Sequence, residues 1–402
     1  MAQGSVMKII LAVIVVVCLS AASYLYGVTS STAIIDAPQA EWAADNPAAL
    51  SWQHYLVSLE AAAARIMSES ESQREQLDGI RYLAQLSSAA QEMKVAKGNP
   101  ARPAFTDWMS DYRKFLGDSP DATYLTAEIS SDYRYEITGN KRDAVYLGVM
   151  LYGKSLNGWN RAAANASVAT MRFDTKGNFR LLLSERKPDN YTGDWLQLDD
   201  DIHLVMVRQY FHDRQHSEVA ELSIRNLDEA APIEETSESL ASRLDSATHF
   251  LNATMAGNIA LMKMLQKAPN SFEAPKEYNQ EFGGVFYPTL DNTYYGTWFS
   301  INDDEVLVVE GKAPDVAYWS ISIQNQWMQS LDYDAYPETT LNNKDISLDD
   351  QGYYRVVLSK QPVEGVNWLG TAGFNRGLLS IRYQLAGETE APSLTILQRK
   401  DL

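Results

Sequence analysis

The chain has 402 residues, 45% of them hydrophobic, enough for a substantial core spread over two or three domains. A formal net charge of −18 excludes the chain from those that hold nucleic acid or anionic lipid headgroups by charge. The single cysteine, Cys18, excludes internal disulfides and leaves the body without a thiol nucleophile or thiolate metal site.

The first element predicted is a membrane segment. Residues 9–18 are unbroken apolar sequence and residues 19–26 remain largely so. Together they give about 18 residues, close to the roughly 20 that cross hydrocarbon as a helix. Lys8 is the only basic residue before Arg65, so the amino end is expected in the cytoplasm and the body outside. A cleaved signal peptide would end at Ser20, Ala21, Ala22 and Ser23. The apolar character continues past them to Tyr26, which favours an uncleaved anchor. Val17 stands where a lipoprotein cysteine needs a small residue. The expected address is a bacterial inner membrane with the body periplasmic, or secreted if the segment is cleaved.

Residues 28–45 read as a linker. Asn46-Pro47 opens a helix that runs to about 68, with Leu50, Tyr55, Leu56, Leu59, Ala62 and Ile66 near one face. A second helix is predicted over 72–95, stopped by Gly98 and Pro100. A third is predicted over 103–117, carrying Phe105, Trp108, Met109, Tyr112 and Phe115. From about 122 the period becomes that of strands. Candidates are 146–152, 168–173 and 179–183 (joined by the turn 174–178), 202–211 and 219–224. A long helix follows from a cap at Thr236 to Pro269, with Leu240, Leu244, Ala247, Leu251, Met255, Ile259 and Met262 at three- and four-residue steps. The remainder is strand-rich, at 295–301, 305–310, 317–323, 353–358 and 378–385. The expected class is mainly β, a β-sandwich or jelly roll, with an N-terminal helical region, a long inserted helix and one transmembrane helix. The corresponding domains are 1–30 (signal anchor), 31–120 (membrane-proximal helices), 121–232 (first β-rich domain), 233–270 (inserted helix) and 271–402 (C-terminal β-sandwich).

Several segments carry a resemblance. Tyr146-Leu-Gly148 with Leu151-Tyr-Gly153, Val207-Arg-Gln-Tyr-Phe-His-Asp213, Tyr318-Trp-Ser320 with Asn325, Trp327 and Ser330-Leu-Asp-Tyr333, and Val366-Asn-Trp-Leu369 with Gly373 and Arg376-Gly377 follow one another in a set order. The chain resembles domain-of-unknown-function family 1214, often paired with its relative 1254, over residues 122–402. The resemblance implies a β-sandwich body with an inserted helical segment and no settled activity. Family members often carry a histidine and an acidic residue after the glycine matching Gly373. Phe374 and Asn375 stand there in this chain, so any activity resting on that histidine would be absent or altered.

Two candidate sites follow from strand periodicity. Met206, Arg208, Tyr210 and His212 share one face of their strand. Arg208 there suits a carboxylate, phosphate or sulfate, and His212 suits acid–base work if Asp213 orients it. A structural ion-pair network explains the same residues. In the C-terminal sheet Trp319, Ile321, Ile323, Asn325 and Trp327 alternate onto one face, with Asn367, Trp368, Arg376 and Arg382 expected nearby. Tryptophan, amide and arginine suit a sugar or an aromatic ligand with an anionic tail, and equally an aromatic core with one structural amide. His212-Asp-Arg-Gln-His216 is a poor match to the helical zinc motif, because aspartate replaces glutamate and the segment follows a strand. The acidic clusters at 199–201, 303–305 and 349–350 lack the calcium-loop pattern.

The sequence therefore favours a membrane-anchored envelope protein binding a small amphipathic or sugar-like ligand. No metal, cofactor or nucleic acid is expected, and a homo-oligomer is left open. A hydrolase or lyase using His212, Asp213 and Arg208, and a non-catalytic assembly protein, are the alternatives.

Overall fold

Two helix signals act as read. Pro47 sits in the first turn of α1 (Pro47–Glu69), and the Ser72 hydroxyl accepts from Glu75 N at 3.2 Å to open α2 (Gln73–Ala90). A π-turn, Gln91–Ala96, ends that hairpin. The third helix, α3 (Ser237–Leu265), starts at Thr236, which exchanges cap bonds with Ser239. Its buried face, including Leu244, Ala247, Leu251 and Met255, is the periodic stripe of the sequence. The computed structural model describes residues 45–154, 160–230, 234–272 and 286–402, and Pro47–Leu402 fold as one unit. The predicted anchor, and with it the membrane partner and address, lies outside the described residues. Among the described residues no helix is long and apolar enough to cross a membrane.

The described residues are mainly β, with four sheets. β1 (Thr106–Met109) pairs with β2 (Ala122–Glu128), and the sheet runs β1-β2-β8-β4-β5, where β4 is Tyr146–Lys154, β5 Asn160–Ser167 and β8 Ile202–Tyr210. Against it lies β7-β6-β3-β9, made of Asp194–Gln197, Asn178–Ser184, Tyr135–Asn140 and Glu221–Asn226. Val149, Val205 and Val207 of the first sheet share a core with Ile137, Leu181 and Leu183 of the second. The later sequence forms β10 (Asn292–Ser300), β16 (Arg376–Gln384), β12 (Trp319–Gln324) and β13 (Thr340–Asn342) in that lateral order. Facing it are β15 (Asn367–Gly370), β14 (Tyr353–Ser359), β11 (Glu305–Lys312) and β17 (Ser393–Gln398), with Ile321, Ile381, Val309 and Val356 between the layers.

The two pairs of sheets superimpose in strand order. β2 to β9 and β10 to β17 occupy the same lateral positions in the same chain order, and the sixth strand of each set pairs parallel with the fifth (β7 on β6, β15 on β14). The residues repeat with the strands. Asp121-Ala-Thr-Tyr124 matches Asp291-Asn-Thr-Tyr294 at the entry to β2 and β10. Gly139 and Tyr146 match Gly311 and Tyr318 at the same separation. Asn178-Phe-Arg-Leu-Leu-Leu-Ser184 matches Tyr353-Tyr-Arg-Val-Val-Leu-Ser359, and arginine is the seventh residue of both nine-residue strands β8 and β16. The chain is an internal duplication of an eight-stranded unit, with α1, α2 and β1 added before it and α3 between the copies.

Three sequence expectations are corrected. Residues 103–117 are not a helix. Thr106 and Asp107 pair with Thr126 and Leu125, and Trp108 and Phe115 are buried by tertiary contacts while Tyr112 is exposed. The helix-like aromatic spacing came from a short strand and a loop pointing into one core, where partners outweigh local preference. Residues 168–173 are not a strand; the alanine-rich run before them is β5, paired with β4. The turn at 174–178 does form, with Asp174 Oδ1 accepting from Lys176 N (2.8 Å) and Asn178 N (2.9 Å), but it feeds β6. Finally, β12 stops at Gln324, so Asn325 and Trp327 do not continue the face of Trp319.

Candidate functional site

The first sheet is buried on both faces, and the face turned away from its partner sheet meets the helices and residues of the second copy. Tyr124, Met206 and Tyr210 on the inward face of the first sheet join the helices and Trp108 in a shared core. Between β8 and β16 that core leaves a cavity of about 380 Å³. Leu261, Leu265, Phe272, Met328 and Leu378 make much of its wall apolar.

Two arginines line it. Period-two geometry brings Arg208 and Tyr210 in from β8, as read, and Val205 and Val207 face the other core. Arg208 Nη1 donates to the Tyr152 hydroxyl (2.9 Å) and Nη2 to the Tyr287 carbonyl. Arg382 comes from the equivalent place on β16. Its Nη1 donates to Ser322 Oγ (3.3 Å) and Nη2 to the carbonyls of Gly117 and, at 3.3 Å, Asp118. Both residues are 5% exposed. Neither pairs with a carboxylate among the described residues, whereas Arg376 is held by Glu71 and by Glu75 (2.7 Å). A guanidinium stays charged and has five donors, so each arginine is a buried cation with donors to spare. Burial raises the Tyr124 and Tyr210 phenols and pushes Tyr152 up to about 12, so the tyrosines stay protonated at neutral pH and do not neutralise the site.

Backbone strain gathers at the same place. Leu116 (φ 51°), Tyr287 (φ 50°) and Met328 (φ 55°) all line the cavity in the left-handed region, which bulky side chains rarely adopt. Gly117 (φ 74°) and Tyr287 each stand four residues before the repeated aspartate, and each turns its carbonyl onto the other copy's arginine.

The remaining sequence candidates are not in the cavity. His212 lies beyond the end of β8, with Nε2 3.0 Å from Ala317 O and its ring over Tyr318. Asp213 does not orient it; its carboxylate meets His216 Nδ1 at 2.9 Å, because the chain turns after the strand. Trp319 packs against Tyr354 and Tyr383 in the C-terminal core. Asn325 closes its own turn, accepting from Trp327 N (2.9 Å) and Gln329 N (3.2 Å). Trp327 reaches the helices, where Nε1 donates to Glu75 O (2.9 Å). Asn367 is spent on backbone groups of Ser347 and Arg355, and Trp368 Nε1 donates to Ser359 Oγ (3.0 Å). Asn367, Trp368, Arg376 and Arg382 therefore do not converge; Arg382 alone of the four reaches the cavity. Sequence reading missed Tyr124, Tyr152, Tyr287 and Tyr294. The signal that would have found the first and last is the repeated Asp-x-Thr-Tyr.

The two repeated aspartates bind across the copies. The Tyr318 hydroxyl donates to Asp121 Oδ2 (2.7 Å), and the equivalent Tyr146 hydroxyl donates to Asp291 Oδ1 (2.9 Å). Burial lifts the Asp121 pKa from 3.8 to about 6, against the hydrogen bonds from Tyr318 and Asn342. Between those two values the folded state holds the extra proton, so this residue makes stability fall as pH rises through that window, by a few kcal/mol in order of magnitude. Asp121→Asn is expected to remove that share of the slope. Urea unfolding at pH 4, 5 and 6 checks it, and parallel wild-type and variant curves would count against it.

No protein-family model matches this chain, and no curated protein does. Among solved structures, an uncharacterized protein from Burkholderia cenocepacia superimposes with a TM-score of 0.80 at 23% identity, covering 88% of this chain and 98% of its own. The fold is thus shared with a solved bacterial protein. A Vibrio parahaemolyticus protein aligns at 13% identity over 85% of this chain, with a TM-score of 0.46.

Proposed function

We infer that this is a membrane-anchored envelope protein of the 1214/1254 kind, whose sandwich-like copies enclose a binding site for a small amphipathic anion. One observation carries the reading: two buried guanidiniums, whose acceptors among the described residues are all neutral, line a largely apolar cavity. Leaving a cation in that environment is costly unless an anion meets it. The carbonyls of Gly117 and Tyr287 support the reading, since they hold both guanidiniums in place before any ligand arrives. A sugar-like ligand is favoured less, because Asn325 and Asn367 are consumed by the backbone. Acid–base chemistry through His212 gains no support, since His212 is outside the cavity and Asp213 is engaged by His216.

Melting curves with decanoate, decylamine and decanol, below their micelle concentrations, test this. Decanoate is expected to raise the melting temperature and the other two not to, with about 2.7 kcal/mol of added stability at one hundred times Kd. Equal shifts for all three, or none for decanoate, would overturn the reading.

A further inference from the structure

The cavity lies where the two copies meet, and the arginines are one residue seen twice. Arg208 and Arg382 occupy the same position in equivalent strands. Each sends one Nη to a side-chain hydroxyl of its own copy, Tyr152 or Ser322. Each sends the other across to a carbonyl four residues before the opposite aspartate. Tyr124 and Tyr294, also equivalent, line the same space.

Among the described residues, the nearby carboxylates bond to partners other than the two arginines. Asp118 accepts from Ser330 N (2.8 Å) and Ser330 Oγ (2.6 Å), and Lys114 Nζ donates to the same Oγ at 3.0 Å. Asp121 and Asp291 receive the cross-copy tyrosines. Among the described residues, each copy thus places one guanidinium on the cavity wall with no carboxylate in hydrogen-bonding reach.

We propose that the chain presents one anion-gripping unit twice, and that its ligand carries two negative charges on an apolar body. This rests on the ligand-binding reading above. Volume bounds the body: a cavity of about 150 Å³ takes benzene, so about 380 Å³ takes on the order of 15 non-hydrogen atoms. The two charges sit either on one head, as in a phosphate monoester, or at the two ends of a diacid. Both arrangements offer each guanidinium a charge-assisted, bidentate partner.

Titration calorimetry at pH 8, where a phosphate monoester is a dianion, compares decyl phosphate, linear diacids of four to twelve carbons, and decanoate. At least one dianion is expected to bind about tenfold or more tighter than decanoate. The identity of the best one, decyl phosphate or a diacid, says where the charges lie. For that dianion, Arg208→Met and Arg382→Met are expected to weaken binding to within about threefold of each other, as equivalent positions require. Lys is the second variant at each position, keeping charge without the fork, should a Met variant fail to fold. Decanoate binding as tightly as every dianion, or one arginine proving dispensable, overturns the two-charge proposal and leaves the binding reading standing. An absence of binding by every anion overturns both.

Discussion

Arg208→Met and Arg382→Met should each cost at least about 30-fold in affinity for an anionic amphiphile, while leaving the empty protein as stable as before or more so. The two halves of this result have one cause. Arg208 gives up solvation for a tyrosine hydroxyl and a carbonyl, with no opposite charge in reach among the described residues. Methionine fills a similar volume without a charge to bury, so the empty cavity gains on the order of 1 kcal/mol. The ligand loses the charge-assisted bonds that hold its head. Urea unfolding without ligand and calorimetry with it measure the two effects separately. Variants that unfold more easily yet bind as well as wild type would show the guanidiniums to be structural.

Trp327→Ala should be the most destabilising single change among the sequence candidates, at about 3–5 kcal/mol, with little change in ligand affinity per folded molecule. Trp327 is 2% exposed, its ring stacks on Tyr82 at 5.9 Å, and its indole N–H is tied to the Glu75 carbonyl. Asn258 of α3 donates to the Trp327 carbonyl at 2.7 Å, so one residue joins α2, α3 and the turn after β12. There is little room for the neighbours to collapse, because Gly79 already brings the α2 backbone against the indole. Urea midpoints check the figure; a loss below about 1 kcal/mol would mean that the helical hairpin is not pinned there.

What the sequence revealed depended on whether the deciding contact was local. Thr236 and the stripe from Leu244 to Met255 show α3 because cap and face lie within one element. Arg208 and Tyr210 could be placed on one inward face because a strand alternates regardless of its partners. Residues 103–117 misled because β1 exists only by pairing with β2. Asn325 and Trp327 misled because periodicity says nothing of where a strand stops, and Asn325 closes the turn itself. Tyr287 was invisible because its part is played by a carbonyl, which no side-chain pattern records. The duplication was within reach in Asp121-x-Thr-Tyr124 and Asp291-x-Thr-Tyr294, but its halves are 170 positions apart and the identities between them are scattered in short pieces.

The reciprocal bonds have an evolutionary consequence. Tyr146 with Asp291 and Tyr318 with Asp121 are the i-to-j and j-to-i contacts of a twofold homodimer, now written into one polypeptide. An ancestor of half this length would have formed the same chamber only by self-association, with both ends obliged to be alike. Gene fusion released that obligation. Tyr152 in one copy now answers to Gln324 in the other, and Tyr210 to Gln384, so the surroundings of the two arginines have been free to diverge.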